Sequence, residues 1–255
     1  MSSFADAVAR YQAFLDDVAA PSRSRLRAEA HVESQRDWSP LHTLAEVKAW
    51  FEGHRANPGM VVSDIPLAAC REWSLDPATG FFRHASGDFF YVQGLRVEGG
   101  TGRERGSGWD QPMLTQVGFD GGILGLLRQR FDGVPLYLVE AKAEPGNYRL
   151  IQMSPTVQAT FANLRRSHGG RRPHFAEFFE APAAHGATVH FDQWLSEDGG
   201  RLTNKRNRGM LVELAEGTVR ELPANFLWMS LWQIKECLHE DAWVNPHIRG
   251  IIAHL

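Results

Sequence analysis

Cysteine is scarce in this sequence: Cys70 and Cys237 are the two thiols among 255 residues. Neither lies in a Cys-x-x-Cys motif or a Cys/His cluster, so a disulfide scaffold or a zinc site of ordinary spacing is not indicated. Two buried thiols in a reducing cytoplasm are expected. No apolar run approaches the ~20 residues that span a bilayer. The N-terminus lacks a basic stretch followed by an apolar one, so neither a signal peptide nor a membrane partner is expected. An excess of one charge is also missing: 27 basic against 30 acidic residues leave a net charge of −3. That argues against a general polyanion binder, and no nucleic acid partner is expected. The motifs of several chemistries are absent as well. There is no Gly-x-Gly-x-x-Gly after a strand and no Walker A segment. There is no His-Glu-x-x-His and no Gly-x-Ser-x-Gly. The eleven histidines are scattered without metal-like spacing. No metal and no redox cofactor are expected.

Tryptophan, by contrast, is plentiful, with eight copies. Some should be core residues, and others could line a pocket or a subunit interface. Phe4, Val8, Tyr11, Leu15 and Val18 recur at spacings of three and four and predict an amphipathic helix. Residues 22–36 are polar, with a small expected share in the core. A second helix begins after Thr43, whose capping partner is Glu46. From Phe81 the pattern changes to strands, over residues 88–97, 111–118, 122–130, 134–143, 148–153, 188–194 and 209–214. Asp132-Gly133 marks a hairpin between two of them. Ser154-Pro155-Thr156 reads as a helix start. Residues 225–240 read as one long helix with two apolar stripes, the second made by Trp228 and Trp232. Such a helix is buried or sits at an interface. Residues 244–255 form a short helix or a last strand. The fold class expected is α+β, a mostly antiparallel sheet bracketed by helices. An N-terminal helical segment (1–40) precedes a single unit (41–255).

Three constellations carry potential chemistry. Glu140, Lys142 and Glu144 share one face if they end a strand. Alternating carboxylate and ammonium on one face tunes proton affinities, or else forms a solvated charged surface. Lys205, Arg206 and Arg208, interleaved with Asn204 and Asn207, form either a diphosphate clamp or a basic turn. Residues 194–200, with Ser196, Glu197 and Asp198, bring a carboxylate near that basic segment.

These pieces, in their order along the chain, resemble the NDP-hexose 2,3-dehydratase family. The matching stretches are His84 to Gly94, Trp109-Asp110-Gln111-Pro112, Glu140 to Asn147, Ser154 to Thr160, Ser196 to Gly199, Lys205 to Arg208, Phe226 to Ile234 and Val244-Asn245. The resemblance implies a Nudix-like α+β fold without the glutamate-rich magnesium helix of Nudix pyrophosphatases. It implies a nucleotide-sugar substrate, thymidine diphosphate 4-keto-6-deoxyglucose or a relative, from which water is eliminated during deoxysugar and antibiotic biosynthesis. On that reading Glu144 or Glu197 takes the C3 proton. Lys142, Gln158 or Asn163 supports the enolate oxygen, and Lys205, Arg206 and Arg208 hold the diphosphate. Trp109 or Tyr148 stacks on the base, and Gln111, Asn147, Ser196 and Asn207 complete the expected contacts. Family members typically carry two tandem copies of the unit and this chain has one, which implies pairing as a homodimer, favoured by the two-faced tryptophan helix. Asp198 stands where the family tends to have glutamine. A non-catalytic sugar-nucleotide binder and a different lyase or isomerase on a related keto sugar are the alternatives.

Overall fold

The computed structural model describes residues 3–17, 25–99, 108–165 and 171–255. Val18 and residues 22–24 of the stretches considered above lie outside them. Helix α1 (Phe4–Asp17) and helix α2 (Arg25–Glu33) open the chain. Phe4 and Val8 of α1 pack on Val32 and Trp38, with the Phe4 and Trp38 rings edge to face at 5.3 Å. Helix α2 departs from expectation. It buries Ala28, Glu29, Ala30, Val32 and Glu33. Counting apolar residues misses such a helix, because its buried face carries carboxylates matched by an arginine on the sheet. Helix α3 (Leu44–Ala56) has the expected capping box: Glu46 N–H donates to Thr43 Oγ1 at 3.3 Å, and Thr43 N–H to Glu46 Oε2 at 2.8 Å.

Two sheets follow. The smaller is antiparallel, β1 (Trp73–Leu75), β2 (Phe82–His84), β3 (Phe90–Val97) and β4 (Trp109–Gln116), in that spatial order. The larger has seven strands: β5 (Gly122–Phe131), β6 (Val134–Ala143), β7 (Ile151–Ser154), β8 (Val157–Thr160), β9 (Thr188–Ser196), β10 (Arg206–Leu214) and β11 (Phe226–Met229). Its path is β11-β6-β5-β10-β9, with β7 added on β6 and β8 on β5; β10 runs parallel to β5, and the other pairs are antiparallel. At the predicted hairpin, Asp132 and Gly133 both have positive φ, 50° and 78°. That is the backbone a two-residue turn between twisted strands requires.

One face of the large sheet, with Leu124, Leu126, Tyr137, Val139 and Leu211, packs on Phe51 of α3, Ile234 of α6 (Leu231–Cys237) and Ile248 of α7 (Pro246–Ile252). The other face, with Leu127, Leu136, Leu138, Met210 and Val212, packs on Phe178 and Phe179 of helix α5 (Glu177–Glu180). The molecule is therefore a mixed α+β structure, as the pattern predicted.

Two elements correct the sequence reading. Ser154-Pro155-Thr156 does not start a helix. It links β7 to β8, and the helix that follows, α4 (Phe161–Leu164), starts only after Thr160 caps it. The cause is tertiary. Beyond Leu127 and Leu138 the strands β5 and β6 diverge, β5 pairing with β8 and β6 with β7. Thr156 sits in the fork: its hydroxyl accepts from Leu127 N–H at 2.9 Å and donates to the Leu138 carbonyl. The second correction concerns residues 225–240. Phe226–Met229 is strand β11 on β6, and Ser230 then caps the short α6 through a box with Gln233. Trp228 lies in the strand, 4% exposed against Phe131, while Trp232 lies on the helix. The two tryptophans share no helix, so the interface they suggested loses its basis. The tail forms a helix, α7.

Candidate active site

Strand alternation decides which members of the basic segment act together. Successive side chains of a strand point to opposite faces. Asn207 and Lys205 therefore turn one way, and Arg206 and Arg208 the other. Arg206 lies over the Trp194 ring at 4.6 Å, and Arg208 Nε donates to Asp192 Oδ1 at 2.7 Å. The four cationic and amide side chains do not form one clamp.

Lys205 and Asn207 enter a cavity of about 300 Å³. Its walls bring together six residues expected from the sequence: Glu144 after β6, Gln158 of β8, Asn163 of α4, Glu197 after β9, and Lys205 and Asn207. Thr160, Phe90 and His247 complete much of the lining. Glu197 accepts a hydrogen bond from Asn207 Nδ2 at Oε1. His247 Nδ1 stands 3.6 Å from that same Oε1. Across the cavity, Gln158 Nε2 donates to both oxygens of Glu144, at 2.9 and 3.1 Å. Gln158 Oε1 accepts from Asn245 Nδ2 at 3.0 Å, and Asn245 also donates to Ser154 Oγ at 2.8 Å. Asn245 in turn caps α7 by accepting from Ile248 N–H at 3.1 Å. One chain of contacts thus runs from Glu144 through Gln158 and Asn245 to the helix that carries His247.

Lys205 donates to Gln116 Oε1, and its ammonium lies 5.7 Å from the Phe90 ring centre. Burial lowers the affinity of Lys205 for its proton, and the Glu197 charge opposes that only in part. A half-buried ammonium with a weakened hold on its proton can stabilise a developing oxyanion or give the proton up. Two carboxylates and one such ammonium in one cavity have the chemistry to act as an acid–base set.

The remaining candidates lie elsewhere. Lys142 Nζ is 3.4 Å from Glu140 Oε2, and strand alternation places both with Leu136 and Leu138. Burial raises the Glu140 carboxyl, opposed by the Lys142 charge. Lys142 is not part of the cavity wall. Asn147 Nδ2 donates to the Lys142 carbonyl at 3.3 Å and closes the turn after β6. Tyr148 is 60% exposed. Trp109 Nε1 donates to Gln111 Oε1 at 3.1 Å, and Gln111 bonds the Gly200 carbonyl, tying the small sheet to the loop after β9. Ser196 is exposed opposite Arg206. Sequence reasoning missed His247, Gln116 and the structural part played by Asn245. The Asn245-Pro246 pair was a usable helix-start signal, but nothing in histidine spacing singles out His247. Among the described residues no group of three or more His, Cys, Asp or Glu could hold a metal ion. No helix among them is long and apolar enough to cross a membrane.

Among solved structures, the chain is similar to a Nudix hydrolase, RenU, from M. smegmatis, with 21% identity, a TM-score of 0.31 and coverage of 60% of this chain and 94% of that one. It is also similar to an Ap4A hydrolase from C. elegans, with 12% identity, a TM-score of 0.29 and coverage of 52% and 91%. Its similarity to curated proteins is closer. A dTDP-4-dehydro-6-deoxy-alpha-D-glucopyranose 2,3-dehydratase from Streptomyces violaceoruber is 40% identical over 209 residues, covering 81% of this chain and 45% of the relative. A protein of the same name from Amycolatopsis orientalis is 38% identical over 215 residues, covering 82% and 44%. The chain thus spans about half the length of the curated relatives it matches. The profile of the NDP-hexose 2,3-dehydratase family matches residues 44–255, and this chain belongs to that family.

Proposed function

We propose that the protein removes water across C2 and C3 of a nucleoside-diphosphate-linked 4-keto-6-deoxyhexose, the thymidine diphosphate 4-keto-6-deoxyglucose form being the first substrate to test. The observation that carries this reading is the convergence of Glu144, Glu197 and the half-buried Lys205 in one cavity. The C4 ketone acidifies the C3 hydrogen. One carboxylate removes it, and the electron pair moves to the C4 oxygen as an enolate. Lys205, rather than Lys142, is the ammonium in position to stabilise that oxygen. The enolate then expels the C2 hydroxyl, which leaves as water after protonation by the second acid. Transfer of the enol proton from O3 to C2 gives the 3,4-diketone. Gln158 orients Glu144, and Asn207 orients Glu197.

The test is direct. Purified protein with the 4-keto sugar nucleotide, coupled to a 3-ketoreductase, should yield a 2-deoxy sugar nucleotide by NMR. Without the reductase, thymidine diphosphate should be released as the unstable diketone decomposes. Binding of the nucleotide sugar without either product would overturn the reading.

We further propose that the unit pairs with a second copy of itself in the cytoplasm, as part of deoxysugar biosynthesis. Support comes from an apolar stretch left uncovered within the protomer: Val61 is 96% exposed, and Ile65, Leu67 and Leu75 are each more than half exposed. Covering these exposed apolar side chains is what a second copy would accomplish. Light scattering should give twice the chain mass, and Val61→Asp with Leu67→Asp should halve it. A wild-type monomer at micromolar concentration would sink the pairing.

A further inference from the structure

We infer that His247 is a positioning residue for the elimination, holding the proton that Glu197 takes from C3; this rests on the dehydratase reading above. His247 and Glu197 come from separate parts of the chain, the first turn of α7 and the residue just after β9, and meet in the same cavity. Both side chains are mostly enclosed, 20% and 18% exposed, and Nδ1 lies 3.6 Å from Oε1. The helix that presents His247 is fixed at its start by Asn245, whose side chain spans Ser154 and Gln158. The backbone that carries His247 is therefore fixed by a built framework. Asn207 donates to the same Oε1, so His247 and Asn207 meet at one oxygen of Glu197.

Glu144 has no comparable partner among the contacts described; its oxygens are held by the Gln158 amide, which cannot accept a proton at nitrogen. This asymmetry assigns the C3 proton to Glu197. The C3–H bond breaks as the Glu197 O–H bond forms, and the pair passes to the C4 oxygen. The proton then moves from Glu197 to an imidazole nitrogen, restoring the carboxylate. As the C2–O bond breaks, the second carboxyl group, Glu144, gives a proton to the departing hydroxyl and water leaves; the proton held on His247 then passes back to Glu144 through solvent, so atoms and charge balance. An imidazole ring has two nitrogens, one of which can accept a proton, which suits a temporary holder. The other charged groups lining the cavity are Glu144 and Lys205.

The experiment compares wild type, His247→Gln and His247→Ala in the coupled assay across pH, with added imidazole. Both variants should lose about 10²-fold in kcat with KM nearly unchanged. The pH profile of kcat should change shape in both variants, and imidazole should restore part of the His247→Ala rate. Substrate recovered from deuterated solvent should show slower exchange at C3 in the variants. An active wild type with an unaltered kcat and pH profile in His247→Gln overturns the inference alone. Recovery of the rate by glutamine but not by imidazole also overturns it, since the role is then steric. An inert wild type refutes the dehydratase reading instead.

Discussion

Arg128 donates to Glu33 at 2.7 Å, with no exposure on the arginine side chain and 2% on the carboxylate. The same Nη2 donates to Glu29 at 2.7 Å, Nη1 donates to Glu213, and Tyr137 Oη donates to Glu33 at 2.7 Å. This cluster fastens α2 to β5 across roughly a hundred residues of chain. A buried charge without its partner is far costlier than an intact pair. Arg128→Met is therefore expected to cost about 3–5 kcal/mol. Urea unfolding should show the loss, and a change below 1 kcal/mol would mean the cluster is not buried in solution.

The same cluster predicts an acid limb of stability. Burial pushes the Glu213 carboxyl up, but the His190 hydrogen bond and the charges of Arg128 and Arg130 outweigh it and hold the group at about 2, below its ordinary 4.5. A carboxyl depressed on folding stabilises the protein above its unfolded pKa, and that contribution fades as pH falls toward the folded value. The shift corresponds to ~3 kcal/mol at most. Glu33, raised by burial, acts in the opposite sense: its contribution is full at low pH and lost as pH rises through the folded value. Thermal unfolding of Glu213→Gln between pH 5 and pH 2 should show a shallower decline than wild type. An identical slope would count against the assignment.

Lysine positions separate the two readings of the charged strand. Lys205→Met should lower kcat by about 10²–10⁴-fold, as removal of a positioned acid or oxyanion partner does. Lys142→Ala, which loses a contact to Glu140 outside the cavity wall, should stay within a fewfold of wild type. Steady-state kinetics on the coupled assay decides. The reverse ranking would place the chemistry on the other face of the sheet.

Gly122 couples packing to the site. A Cβ there would lie 2.4 Å from the Ala159 carbonyl oxygen and 2.8 Å from Thr160 Cα, so the backbone of β8 must move. Gln158, Ala159 and Thr160 line the cavity. Gly122→Ala should cost about 1–3 kcal/mol, as overpacking does, and should reduce kcat through displacement of Gln158. Melting curves and kinetics measured together check this; a stable and fully active variant would show that β8 yields without consequence.

Local signals were legible wherever structure depends on neighbours in the chain. The Thr43–Glu46 box, the Asp132-Gly133 turn and the apolar strands β5 and β6 all match their sequence patterns. The readings failed where a distant partner outweighed local preference. Thr156 serves the fork between β5 and β6 instead of opening a helix. Phe226–Met229 gains a strand partner in β6, and Ser230 starts the helix five residues later than expected. The buried face of α2 was invisible because its carboxylates meet Arg128 only in the folded chain.

The candidate site divides in the same way. The ordered set of motifs, residue by residue, determined the family resemblance and named Glu144, Gln158, Asn163, Glu197, Lys205 and Asn207. Which residues share a cavity was decided by tertiary structure. Strand alternation sent Lys205 and Asn207 to one face and Arg206 and Arg208 to the other, and it placed Lys142 outside the cavity wall. His247 entered because the cap on Asn245 sets where α7 begins. Side-chain type and order are properties of the linear chain, but the direction in which a side chain points is set by the register and docking of elements far apart in it.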